Sequence, residues 1–125
     1  MPSSKNMMGA GLAPLTAGAV AGSLIDTMTA TGATQATALQ LSGDNNVVTT
    51  AAAGTGVILP FQANTTPGDE LTVINLGANA LLVYPVLGGI VQAGATNAGF
   101  SIPTLKSAMF IARTGGLNWT AILSA

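Results

Sequence analysis

The sequence predicts an all-β protein: a compact antiparallel β-sandwich or barrel, jelly-roll-like, preceded by an extended or partly helical N-terminal arm. Short runs of β-branched and apolar residues recur every 8 to 12 residues or so, the spacing of sandwiches and barrels rather than of βαβ units. Clusters of Gly, Asn, Pro and Thr separate these runs, and no useful helical period appears downstream of the first 30 residues. The expected division is an arm over residues 1–30 and a β domain over residues 31–125.

The stretch from Asn6 to Ile25 carries no charge and is long enough to span a bilayer. A spanning helix needs about 20 predominantly apolar residues, whereas here Gly9, Gly11, Gly18, Gly22 and many alanines dilute the apolar side chains, and Pro14 interrupts them. Gly18 and Gly22 have the spacing of a small-residue packing motif, but a chain with 16 glycines meets that spacing by chance. Lys5 with Ala21-Gly22-Ser23 makes only a weak match to a secretory leader. The expectation is an arm, extended and then helical from Ala17 to Met28. Its side chains Met7, Met8, Leu12, Leu15, Val20, Leu24 and Ile25 are candidates for contact with a neighbouring subunit.

The strands expected in the β domain are 36–41, 46–50, 56–59, 70–75, 80–84, 89–91, 99–102, 107–112 and 118–123. In the first, Leu39 and Leu41 share one face; in the fourth, Leu71 and Val73 oppose Thr72 and Ile74. This alternation is the signature of a half-buried strand. Gly43-Asp44-Asn45, Pro67-Gly68-Asp69, Gly77-Ala78-Asn79, Gly88-Gly89 and Thr114-Gly115-Gly116 supply the turns, since Gly and Asn accept positive φ and Pro presets the first turn position. Asp69 to Pro85 is expected to form a hairpin, and Ile102 to Ile111 a second strand, tight turn and strand. Trp119 is expected to pack at the rim of the core.

Composition removes most chemistry. The chain has three basic and four acidic residues, a net charge of −1, and 6% charged residues against roughly 25% in an ordinary soluble domain. Histidine and cysteine are absent, which excludes thiolate nucleophiles, Cys/His zinc sites, histidine bases and disulfides. Three cations cannot neutralise a phosphate track, so nucleic-acid binding by charge is not expected. With 49% hydrophobic residues, the chain lacks the composition of disorder. Asp69 and Glu70 are adjacent carboxylates, but a hydrolase or metal site needs convergent partners, and after Pro67-Gly68 they suit a solvated turn. Lys106 and Ser107 are neighbours, which point to opposite faces of a strand and cannot act as a lysine-activated serine. Gly54-Thr55-Gly56 and Gly88-Gly89 are not followed by the residues of a phosphate loop. Asn64-Thr65-Thr66 and Asn118-Trp119-Thr120 match the glycosylation sequon, which acts only in a eukaryotic secretory pathway. No catalytic residue, cofactor or metal is expected.

Two runs carry a resemblance. TGATQATALQLSGDNNVVTTAAAGT, from Thr31 to Thr55, is similar to an element of tailed-bacteriophage virion proteins, and so is GDELTVINLGANALLVYP, from Gly68 to Pro85, continued by Gly88-Gly89-Ile90 and by NAGFSIP from Asn97 to Pro103. The resemblance spans Thr31 to the C-terminus and leaves the first 30 residues outside. It implies a small β-rich structural protein of the virion, either a capsid decoration (cement) subunit or part of a head or tail fibre, located on the capsid surface.

The expectation formed from both lines is a non-enzymatic cement protein. A homotrimer of β domains would hide Thr, Ala and apolar surface that a monomer would expose, and the arm would anchor it to the major capsid protein or another virion protein. The alternatives are a fibre or spike subunit, with the arm as stem and the β domain as knob, and a carbohydrate-binding module using Trp119 and Tyr84 as a stacking platform. Neither nucleic acid nor membrane is an expected partner.

Overall fold

A computed structural model describes residues 23–61, 65–113 and 117–125. These residues form ten strands and no helix: β1 (Leu24–Thr29), β2 (Leu39–Gln40), β3 (Asn45–Thr50), β4 (Gly56–Ile58), β5 (Glu70–Asn75), β6 (Leu81–Tyr84), β7 (Ile90–Val91), β8 (Phe100–Ile102), β9 (Ser107–Ala112) and β10 (Asn118–Leu123). They build a six-stranded sheet, β1-β3-β5-β9-β10-β7, and a four-stranded sheet, β2-β4-β6-β8. The all-β, two-sheet sandwich is as expected, and β2 to β10 fall within or next to the nine expected strands.

The strand directions differ from expectation. From β1 to β9 successive strands alternate between the sheets, so β1, β3 and β5 lie side by side in parallel in one sheet and β2, β4 and β6 do so in the other. The result is three stacked coils, with Leu24 beside Asn45 and Asn45 beside Thr72, completed by antiparallel β8, β9 and β10. The sandwich is therefore mixed, neither purely antiparallel nor jelly-roll-like. Period-two alternation is the same for both directions, so the pattern that located the strands had no bearing on how they pair.

Asp69 to Pro85 is accordingly a corner between sheets and not a hairpin, because β5 and β6 belong to different sheets. Asn75 makes the corner. Its buried amide donates to the carbonyls of Asn79 at 2.9 Å and Ile102 at 3.0 Å, and its side-chain oxygen accepts from Gly77 N–H at 2.9 Å. Gly77 is required there, since a Cβ would lie 2.7 Å from Ala51 N. Ile102 to Ile111 is a second corner, leading from β8 to β9.

The helix expected to run on to Met28 is not found over residues 24–28. These residues are strand β1 instead, hydrogen-bonded beside β3 with a register shift around Thr27, whose φ is +63°. The sheet thus begins inside the expected arm, and Met28 and Ala30 join the core. The inward residues of the two sheets fill that core, with Val48, Val73, Phe110 and Trp119 from one facing Val57, Leu81, Val83 and Ile102 from the other, all at most 1% exposed. Phe100 of the smaller sheet meets Phe110 of the larger edge to face, with centroids 5.8 Å apart, a favoured aromatic geometry.

Candidate functional site

The most unusual surface is the outer face of the larger sheet. Along β3, β5, β9 and β10 the buried positions alternate with Val47, Ile74, Met109, Ile111 and Ile122. Register brings these outward residues together. Ile74 sits between Val47 and Ser107, Met109 between Thr72 and Ile122, and Ile111 between Glu70 and Thr120. Glu70 is the one charged residue in those four strands. A sheet that covers a core on one side normally shows water a polar face; on this one Val47, Ile74, Met109, Ile111 and Ile122 are interspersed with Asn45, Thr49, Glu70, Thr72, Ser107, Asn118 and Thr120, a mixed face almost without charge.

The two ends of the sandwich differ. At the end where β3 and β5 start, Asp44, Asp69 and Glu70 line the rim of a cavity of about 570 Å³ walled by Leu41, Pro60, Phe61, Leu71 and Trp119. Asp44 is held by the backbone N–H of Ser23 at 3.0 Å, and Asp69 by that of Thr66 at 2.8 Å. The Trp119 indole N–H is buried there with no hydrogen-bond partner among the described residues, an expense that folded proteins rarely tolerate. No group of three or more metal-ligating side chains exists among the described residues, so the carboxylates do not converge as a cation site.

At the opposite end, where β5 finishes, Leu76, Leu105 and Leu123 are 50%, 76% and 41% exposed. Lys106 lies there too, its ammonium on the Ala125 carbonyl.

Of the arm residues, Leu24 and Ile25 lie in β1, 61% and 37% exposed, while Met7, Met8, Leu12, Leu15 and Val20 lie outside the described residues. Asp69 and Glu70 follow a solvated turn closed by Asp69 N–H on the Thr66 carbonyl, as expected. Trp119 is core at 1% exposure and Tyr84 is buried at 8%, which corrects the idea of a stacking platform built on them. The sequence also gave no warning of the cavity: its wall draws on residues far apart in the chain, and only the stacking of coils brings Leu41, Phe61, Leu71 and Trp119 to one end. No helix among the described residues is long and apolar enough to cross a membrane. No protein-family model matches the chain, and no curated protein matches it.

Proposed function

We propose that this chain is a non-enzymatic structural subunit of a virion, a capsid decoration protein that stabilises a phage head by covering apolar surface across capsomer junctions. The observation that carries the reading is the nearly uncharged outer face of the six-stranded sheet, where Val47, Ile74, Met109, Ile111 and Ile122 sit among Thr, Ser and Asn with a single charge across the four central strands. Apolar side chains on a face with almost no charge suit burial against another protein. Burial there contributes roughly 25 cal/mol per Å² before ordering costs, so attachment needs no salt bridge. The charge-poor composition and the resemblance of the runs Thr31–Thr55 and Gly68–Pro85 to tailed-bacteriophage virion proteins support the same reading. The subunit is a homotrimer whose partners are its own copies and the major capsid protein, with the N-terminal residues Met7, Met8, Leu12, Leu15 and Val20 as anchor.

A fibre or spike subunit is the second reading, favoured by the coil arrangement, because the parallel β2-β4-β6 ladder leaves its β2 edge open to a further strand. Copy number separates the two. A stained gel of purified particles, scaled to the major capsid protein, gives hundreds of copies for decoration and a few for a fibre or spike. Washing the particles in molar salt is expected to leave the protein bound; release by salt with retention at low ionic strength would contradict an apolar attachment.

A further inference from the structure

The turns of this protein contain their own control experiment. In Ala52–Thr55, Thr66–Asp69, Val86–Gly89 and Ala95–Ala98, the N–H of the fourth residue meets the carbonyl of the first, and the third residue has positive φ. That third residue is Gly54, Gly68, Gly88 and Asn97, the residue types the conformation favours. Pro103–Lys106 is built the same way, with Lys106 N–H on the Pro103 carbonyl at 3.2 Å, yet its third residue is Leu105 at φ +61°. Leu105 is also 76% exposed, so packing within the chain does not account for it. A leucine placed against backbone preference and against solvent points to a contact made elsewhere.

The turn is held rigidly. Leu105 N–H donates to the Asn75 carbonyl at 2.8 Å, Asn75 N–H donates to the Lys106 carbonyl at 2.9 Å, and the Thr104 hydroxyl bonds the Gly77 carbonyl. Leu105 is therefore a fixed knob with a lysine beside it. At the other end of β5, five residues and about 17 Å away, lies the cavity walled by Leu41, Pro60, Phe61 and Leu71 and rimmed by Asp44, Asp69 and Glu70. One end offers an apolar knob beside Lys106, whose ammonium is on the Ala125 carbonyl; the other offers an apolar socket with three carboxylates, and Arg113 is at that end too.

Resting on the assembly reading above, we propose that copies of this chain join head to tail, with Leu105 of one copy entering the cavity at Leu41, Phe61 and Leu71 of the next. The partner is a second copy because the apolar knob and the apolar-walled socket stand at opposite ends of β5 in the same chain, where copies arranged end to end present one to the other. The bulge at Thr27 and the charge of Asp26 make the β1 edge a poor route to self-pairing. Such a contact is heterologous and closes into a ring when the rotation per subunit allows.

Sedimentation velocity of the full chain tests this. The wild type is expected to self-associate. Leu105→Gly, which suits the turn better, is expected to keep the thermal unfolding profile and weaken association at least about tenfold, as is a socket variant carrying Phe61→Ala and Glu70→Lys at two exposed positions. Mixed together, the two variants are expected to give a 1:1 dimer, since one intact knob and one intact socket remain. A monomeric wild type, or variants that assemble like it, would overturn the proposal. So would a mixture that stays monomeric while the wild type assembles. Assembly that persists in both variants rejects the knob alone, and the copy number on particles then still decides the virion reading.

Discussion

The side chain of Asn75 is wholly buried and satisfies three backbone groups at the corner between β5 and β6. Replacing it with alanine leaves two carbonyls and one N–H without their partner in the interior, at a cost of about 2–4 kcal/mol; chemical denaturation of Asn75→Ala measures it. Asn46 is equally buried, its amide donating to Gly43 and Thr72 carbonyls while its oxygen has no partner among the described residues. Gly56 answers a different demand: a Cβ there would lie 2.6 Å from the Leu82 carbonyl oxygen and 2.8 Å from the Tyr84 ring. Gly56→Ala is expected to lower stability by about 1–3 kcal/mol through overpacking, seen as a reduced melting temperature. Leu105 is the opposite case, because a leucine at positive φ carries roughly 1–2 kcal/mol of backbone strain. Leu105→Gly should therefore leave folding stability unchanged or raise it by up to about 1 kcal/mol, the flexibility of glycine in the unfolded chain offsetting part of the relief.

At the scale of elements, β1 shows where sequence reasoning stopped. Its residues Leu24 to Thr29 have one buried position, Met28, so no alternation announces a strand, and Asp26 breaks the apolar run. What makes it a strand is its neighbour, since β3 offers a parallel edge. Strands β3, β5, β9 and most of β10, by contrast, carry the period-two pattern that a half-buried face imposes, and most turns carry the glycines and asparagine that positive φ favours, Gln92 and Leu105 being exceptions. Direction was illegible for a physical reason. Asn75-Leu76-Gly77-Ala78-Asn79 has hairpin-turn chemistry, but the hydrogen bonds of the Asn75 side chain to Asn79 and Ile102 carry the chain to the other sheet. The candidate surface was legible only in part: a scarcity of charge implied covered surface, while the cavity and the Leu105 knob depend on contacts between distant segments. Truncation distinguishes arm from strand. Removing residues 1–22 is expected to leave thermal unfolding of the β domain intact, whereas removing residues 1–30 strips Met28 and Ala30 from the core and should lower stability by about 2–5 kcal/mol; circular dichroism melts of the two truncations measure the difference.

For the whole molecule, the placement of its few charges matters more than their sum. Asp44, Asp69 and Glu70 gather at one end with the cavity and with Arg113, Lys106 stands at the other, and the sheet face between them mixes apolar side chains with Thr and Ser. With a net charge of −1, little electrostatic repulsion keeps copies apart. A subunit made for assembly can carry such a surface. The central claim, that this surface is covered by other protein, is tested most directly by the molar mass of the purified full chain in sedimentation equilibrium across micromolar concentrations at low and at molar salt. The account predicts a discrete oligomer that survives molar salt. A highly soluble monomer at every concentration and salt would contradict it.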